Sequence, residues 1–319
     1  MVKVSTLVYL FKVDYFSTTA PTRGDSVPQP LPTTLVQESP LPADRPVSAF
    51  AADVEALLAE HPHTGLLAFP ELHLCGVTGT RTERDERLRA AAEPLPGKRS
   101  TALAELAGDM GVWLAPGSVC ELGPNGELFN TAVVYSPDGE LVASYRKVFP
   151  WRPYEPCDPG DRFVVFDVPD AGRVGLSICY DAWFPEVARH LAWMGADLVL
   201  NPVQTTTADR EQELVLARAN AIVNQVFVVS LNAAAPVGVG QSLVVDPEGR
   251  VLLEVADAEP AVLTPTLDLG QVARVRERGT AGLNRMWEQF AEGDAPLELP
   301  LYQGRIDPGR WRPRGGGAG

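Results

Sequence analysis

Short apolar runs that stop abruptly at a polar or turn residue limit most tightly what this chain can fold into. GLLAFPE (65–71), VGLSIC (174–179), ADLVLNP (196–202) and VFVVSLN (226–232) are apolar at consecutive positions rather than at alternate ones. Runs of that kind read as buried strands. Between them lie segments with helical spacing. Phe50, Val54, Leu57 and Leu58 share one face of 47–60, and Phe184, Val187, Ala188 and Leu191 share one face of a helix at about 184–195. Further helices are expected at about 98–110 and about 209–225.

TTLVQ (33–37) and VWLAPGSV (112–119) read as additional buried strands, and VLTPTLD (262–268) ends the sheet material. NTAVVYS and LVASYRK flank the turn Pro137-Asp138-Gly139-Glu140, and SLVVD and VLLEV flank PEGR, so both pairs read as hairpins. FVVFDV and VGLSIC bracket a turn at Pro169–Gly172. The expected fold is α/β with mixed sheets, about ten to twelve strands in one domain of about 270 residues. Its expected limits are 32–289, with 1–31 as an N-terminal extension and 290–319, rich in Pro and Gly, as an extended arm or tail.

The balance of charge bears on partners. With 27 Lys and Arg against 41 Asp and Glu, the formal charge of −14 repels nucleic-acid backbones and anionic membranes, so neither is an expected partner. No apolar run approaches the roughly 20 residues that span a bilayer, and the N-terminal segment lacks the features of a signal peptide. Four cysteines (75, 120, 157 and 179) are too few for a disulfide framework, which points to a reduced, cytoplasmic setting. Of the histidines at 61, 63, 73 and 190, only His61 and His63, in a Pro-flanked loop, approach zinc-ligand spacing, and no metal or other cofactor is expected.

Chemistry concentrates in VGLSICYDAWFPE (174–186), where an apolar strand runs into Cys179 and a helix begins soon after, with Pro185 in its first turn. A cysteine at a strand's carboxyl end near a helix N-terminus meets N–H groups that favour a thiolate. The Tyr180 N–H is placed to hold an oxyanion. The same spacing also suits an inert, buried cysteine. Glu71 ends another buried strand and is a candidate general base, although alone it reads more readily as an ordinary loop acid. Lys147 closes a hairpin strand, where an ammonium stabilises an oxyanion or merely meets solvent. Glu155 lies in PWRPYEPCDPGD (150–161), whose rings and prolines can wall a pocket. No histidine stands in a comparable context, so neither a Ser–His–Asp set nor a Cys–His dyad competes.

Three separated segments, LLAFPELHLCG (66–76), SYRKVFPW (144–151) and GLSICYDAWFPEVAR (175–189), together resemble the carbon–nitrogen hydrolase (nitrilase) superfamily in content and order. The resemblance runs from about 33 to 277 and includes DREQELVLARANAIVNQVFVVSLN downstream. It implies a four-layer αββα sandwich of two mixed sheets flanked by helices. It also implies Glu71 as base, Lys147 as oxyanion stabiliser, Cys179 as nucleophile and Glu155 as an assisting carboxylate. RKVFPWRPYEPCDPGD is similar to the amidase and formamidase branches. The implied activity is cleavage of a small, non-peptide amide to a carboxylate and ammonia or amine through a thioester. Hydrolysis of N-carbamoyl amines, acyl transfer on the same fold and a catalytically silent scaffold are the alternatives. The family also implies a homodimer or larger homo-oligomer, with the C-terminal arm reaching a neighbour. Tyr180-Asp181 replaces the Trp-Glu that follows the nucleophile in nitrilases, which disfavours nitriles, and Phe149 stands where many relatives carry His. Phe149, Trp151, Tyr154, Trp183 and Gln204 are the expected pocket walls around the small-molecule substrate.

Overall fold

A computed structural model describes residues 28–306 together with Gly309 and Pro313. Most of the expected N-terminal extension and much of the expected arm lie outside the described residues. The first half of the chain runs β1 (Leu31–Gln37), α1 (Val47–Glu60), β2 (Leu66–Ala68), α2 (Arg81–Ala90) and α3 (Lys98–Met110). It continues through β3 (Trp113–Ala115), β4 (Ser118–Leu122), β5 (Leu128–Tyr135) and β6 (Leu141–Arg146). The second half runs β7 (Val165–Val168), β8 (Gly172–Leu176), α4 (Pro185–Trp193), β9 (Leu198–Val203), α5 (Arg210–Asn224) and β10 (Phe227–Asn232). Then come β11 (Leu243–Val245), β12 (Val251–Glu254), β13 (Ala261–Leu263), β14 (Thr266–Leu267) and α6 (Gly270–Arg278).

Two mixed sheets result. In the first, β13, β1, β2, β3, β5 and β4 lie in that order, with β14 also on β1 and β6 also on β5. The second reads β12, β11, β10, β9, β8, β7. Each has a parallel centre, β1–β2–β3 and β8–β9–β10, and antiparallel edges. Parallel strands gather their carboxyl ends on one side, and β2, β8 and β9 therefore deliver their following residues to a common edge.

The consecutive apolar runs are explained by which face each residue serves. Leu66 and Ala68 of β2, Leu198 and Leu200 of β9, and Phe227 and Val229 of β10 meet in the layer between the sheets. Their neighbours turn outward. Leu67 packs with Phe50, Val54, Leu103 and Leu106 of α1 and α3, whereas Val199 and Val228 pack with Val187, Leu191, Ala217 and Ala221 of α4 and α5. Successive strand side chains alternate between faces, so three apolar layers separate four layers of secondary structure. The molecule is the expected αββα sandwich.

Three elements differ from the sequence reading. VWLAPGSV is two strands, because Gly117 adopts φ 87° and its backbone lies so close to Pro70 that an added Cβ would fall 1.7 Å from the Pro70 carbonyl oxygen. The sheets hold more strands than expected because ladders as short as β14 leave no periodic signal. Helix α2 was not expected at all, since RTERDERLRA buries only Leu88. Its detectable mark is the capping box at Thr80 and Glu83, in which side chain and backbone hydrogen-bond reciprocally. Beyond α6, residues 297–299 and 304–306 form a small hairpin, and the Tyr302 hydroxyl donates to Glu186. No helix among the described residues is long and apolar enough to cross a membrane.

Candidate active site

Glu71, Lys147, Cys179 and Glu155, up to 108 positions apart (179 − 71), line one cavity of about 370 Å3. Glu71 follows β2, Lys147 directly follows β6 and Cys179 follows β8, so both sheets contribute at the same edge. Strained backbone accompanies two of them. Cys179 itself has φ 45°, and Leu72, next to Glu71, has φ 52°. Left-handed conformations of bulky residues are costly and persist where surrounding structure enforces them, commonly at reactive sites. Around Cys179 the enforcement is visible: Asp181 accepts the Ile178 N–H at 2.9 Å, the Phe149 N–H at 2.9 Å and the Tyr145 hydroxyl at 2.8 Å. One buried carboxylate thus fastens the turn that carries the cysteine to the segment that follows Lys147.

The charged groups form a compact set. Lys147 Nζ donates to Glu71 Oε1 at 2.9 Å and to Glu155 Oε2 at 2.8 Å. Asn130 Nδ2 reaches the same two carboxylates, at 2.8 Å and 2.9 Å, and the Trp151 N–H adds a bond of 2.7 Å to Glu155. The loop carrying Glu155 is itself pinned: the Asp158 N–H donates to the Leu128 carbonyl at 2.7 Å, and the Gly160 N–H to the Lys147 carbonyl at 2.8 Å. The Cys179 sulphur lies beside the Glu71 carboxylate, 3.9 Å from Thr205 Oγ1, and the Gln204 N–H approaches it.

Protonation follows from this geometry. Burial raises the Glu71 carboxyl; the Lys147 ammonium pulls it back and Glu155 pushes it further up, leaving it above its ordinary value. Burial would lower Lys147, but the Glu71 and Glu155 carboxylates outweigh it and hold the ammonium protonated well beyond its usual range. Burial also acts to raise Glu155, and there Lys147 prevails, aided by the Trp151 N–H and Asn130, so this carboxyl ends below its ordinary value. Burial, followed by the Glu71 charge, pushes the Cys179 thiol well above the usual thiol range. The N–H groups that the sequence places there to favour a thiolate do not prevail. Lys147 and the Gln204 N–H do favour the anion, but burial and the Glu71 charge outweigh them. The resting pair is a thiol beside a base.

The remaining expected residues separate into two groups. Trp151, Tyr154, Tyr180 and Gln204 line the cavity, and Trp151 lies against Tyr154 with ring centroids 4.4 Å apart. The Tyr180 N–H falls in the first turn of its helix, where such groups lack an intrahelical acceptor. Phe149 and Trp183 are not among the lining residues. Phe149 stacks on Phe184 at 3.7 Å and, like Phe184, packs against the apolar cluster around α4, while Trp183 lies near the Tyr180 ring at 6.1 Å. Sequence reasoning missed Asn130, Asp181, Thr205 and Glu213, whose partners are all distant in the chain or one helical turn away. It also missed the wall that α2 supplies through Arg84, Asp85 and Leu88.

The fold, the cavity and the Glu–Lys–Cys set place the chain among known proteins. The carbon–nitrogen hydrolase family model matches residues 36–277, and the chain belongs to that family. The human omega-amidase NIT2 is 36% identical over 204 residues, 59% of this chain and 72% of that protein. Among solved structures, Saccharomyces cerevisiae Nit3, a member of branch 10 of the nitrilase superfamily, superposes with a TM-score of 0.69 at 27% identity. That match covers 78% of this chain and 94% of Nit3. A variant of the amidase from Nesterenkonia sp. AN1, showing covalent addition of the acetamide moiety of fluoroacetamide at its active-site cysteine, is also similar. It is 27% identical with a TM-score of 0.63, over 81% of this chain and 97% of the amidase.

Proposed function

We propose that this chain is a cysteine-dependent amidohydrolase that converts a small amide to its carboxylate and ammonia or an amine through a thioester on Cys179. One observation carries the reading: the Glu71 carboxylate takes a hydrogen bond from the Lys147 ammonium at 2.9 Å in a nearly solvent-free site, with Cys179 lining the same cavity beside them. A raised thiol needs a base in contact, and a raised carboxyl suits one that must also return the proton.

Glu71 takes the thiol proton as sulphur bonds to the amide carbon, and the oxyanion rests on the Lys147 ammonium and the Tyr180 N–H. Glu71 gives its proton to the nitrogen, the carbon–nitrogen bond breaks and a thioester remains. Water then attacks the thioester while Glu71 accepts its proton. The carbon–sulphur bond breaks, the carboxylic acid leaves and the proton returns to sulphur. Glu155 holds Lys147 in place through this cycle. The names of the relatives, omega-amidase and amidase, support an amide, and the modified cysteine of the Nesterenkonia amidase supports a covalent route. A cavity of about 370 Å3 suits a small substrate. A reducing, cytoplasmic setting, which keeps the thiol free, goes with this chemistry. So does a homodimer or larger assembly, supported by Val215 and Val223 exposed on α5 and testable by light scattering.

The test is ammonia release from a panel of primary amides, N-carbamoyl compounds and nitriles, combined with intact-protein mass after exposure to a haloacetamide. Amides are expected to turn over and the label to sit on Cys179. Turnover by Cys179→Ala, or a label elsewhere with Cys179 free, defeats the reading.

A further inference from the structure

Beside the nucleophile, and outside the Glu–Lys–Cys set, lies a buried cluster that the cycle above does not use. Thr205 follows β9 and is almost fully buried, with Oγ1 3.9 Å from Cys179 Sγ. Its hydroxyl faces both oxygens of Glu213, at 2.7 Å and 2.9 Å. Glu213 is buried too, and Arg210 Nη1 donates to it at 3.0 Å. Arg210, in the first turn of α5, is anchored in turn by Ser230 Oγ at 2.9 Å and the Gln241 carbonyl at 2.8 Å. The Thr205 backbone is fixed as well, its N–H donating to Asn232 Oδ1 at 2.8 Å. Both Thr205 and Glu213 line the cavity.

A threonine hydroxyl has one proton and two lone pairs. An ionised carboxylate accepts and cannot donate, so Glu213 commits the Thr205 proton to itself. What Thr205 then offers beside the sulphur is an acceptor. Resting on the amidohydrolase reading above, we propose that Thr205 is a further catalytic residue: its Oγ1 accepts an N–H of the amide nitrogen bound at Cys179, with Glu213 and Arg210 as positioning residues that keep it an acceptor. The consequence is stereochemical. For Glu71 to protonate the departing nitrogen, the nitrogen lone pair must face Glu71, so its N–H bonds must point elsewhere. An acceptor fixed 3.9 Å from the attacking sulphur gives one of them a partner in that orientation. The lone pair is thereby aimed at the acid.

An ester of the same acyl group has no N–H on its leaving atom, which supplies the test. The value of kcat/KM for a primary amide and for the matching methyl ester is measured in the wild type, Thr205→Val and Thr205→Ser. This parameter reports acylation, where the two substrates differ, and excludes the deacylation they share. Thr205→Val is expected to lower the amide value about tenfold, the size of one lost hydrogen bond, and the ester value by less than about twofold. Thr205→Ser is expected to restore the wild-type ratio of amide to ester. A loss in Thr205→Val that is equal for both substrates, or no loss for the amide, overturns the inference, because a merely structural role does not distinguish the leaving atom. Should Thr205→Val fail to fold, Thr205→Ala removes the same oxygen and serves for the identical comparison. If the wild type cleaves neither substrate, it is the amidohydrolase reading that fails, and a Cys179→Ala control separates that outcome from this one.

Discussion

The Lys147 ammonium sits 2.9 Å from the Glu71 carboxylate, and the two side chains are only 2% and 5% exposed. Burying two ions costs several kcal/mol each, and their attraction only roughly offsets it, so such a pair is a poor source of stability. Its presence is explained by chemistry. In Lys147→Met, Glu71 and Glu155 would face each other across Asn130 without a cation. Amide turnover is expected to fall at least about a hundredfold, the scale of losing an oxyanion donor. Both carboxyls would also hold their protons more tightly when folded than when unfolded. With Glu155 raised as well as Glu71, this variant should gain more stability than the wild type as pH falls through their folded values, and thermal melts from mildly alkaline to mildly acid pH check the sign.

The pH profile of the wild type should have a single acid limb. The active form needs an ionised Glu71, a protonated Cys179 and a protonated Lys147. Glu71 is held above its ordinary value, whereas Cys179 and Lys147 are both held well above theirs. So kcat/KM should rise as Glu71 loses its proton, at a pH above the ordinary glutamate value of about 4.3, and then stay level through neutrality into alkaline solution. A midpoint at or below that value would contradict Glu71 as base.

Asp181 holds the two halves of the site in register. In Asp181→Ala, the N–H groups of Ile178 and Phe149 and the hydroxyl of Tyr145 would lose their acceptor in a buried setting. Each such loss costs about 1–3 kcal/mol, so a fall of roughly 3 kcal/mol or more in urea unfolding is expected. The Cys179 turn would relax at the same time. The wild-type carboxyl is pushed up by burial to about 6, so its charged form is disfavoured when folded. Its contribution to stability is therefore greatest at acid pH and declines as pH rises through that value.

Arg210 and Glu213 form a second buried ion pair, 2% and 6% exposed. Arg210→Met would leave Glu213 charged and uncompensated. The expected cost is about 3–5 kcal/mol, far above a surface pair, and chemical denaturation measures it.

Gly117→Ala tests how the fold sets the base. The added Cβ would meet the Pro70 carbonyl, one residue before Glu71, and φ 87° disfavours any side chain there. Both the melting temperature and kcat should fall. A variant that loses stability but keeps full kcat would show that Glu71 tolerates the displacement.

Sequence alone determined the mixed α/β character, because GLLAFPE, ADLVLNP and VFVVSLN carry apolar runs that suit buried strands, and the family resemblance then implied the four-layer sandwich. It also determined helices α1, α3, α4 and α5, whose apolar stripes repeat at the helical period over several turns. It pointed to Glu71, Lys147 and Cys179, since each ends a recognisable strand and their motifs follow one another in a family order. The tertiary structure decided what those residues are to one another. That Cys179 rests as a thiol, that Glu155 and Asn130 share Lys147 and Glu71, and that Glu213 governs Thr205 all depend on burial and on distances between segments far apart in the chain. Helix α2 and its cavity wall escaped because a mostly exposed helix has no apolar period to read. Local pattern reports which face of an element is buried; it carries no information about which buried groups then meet.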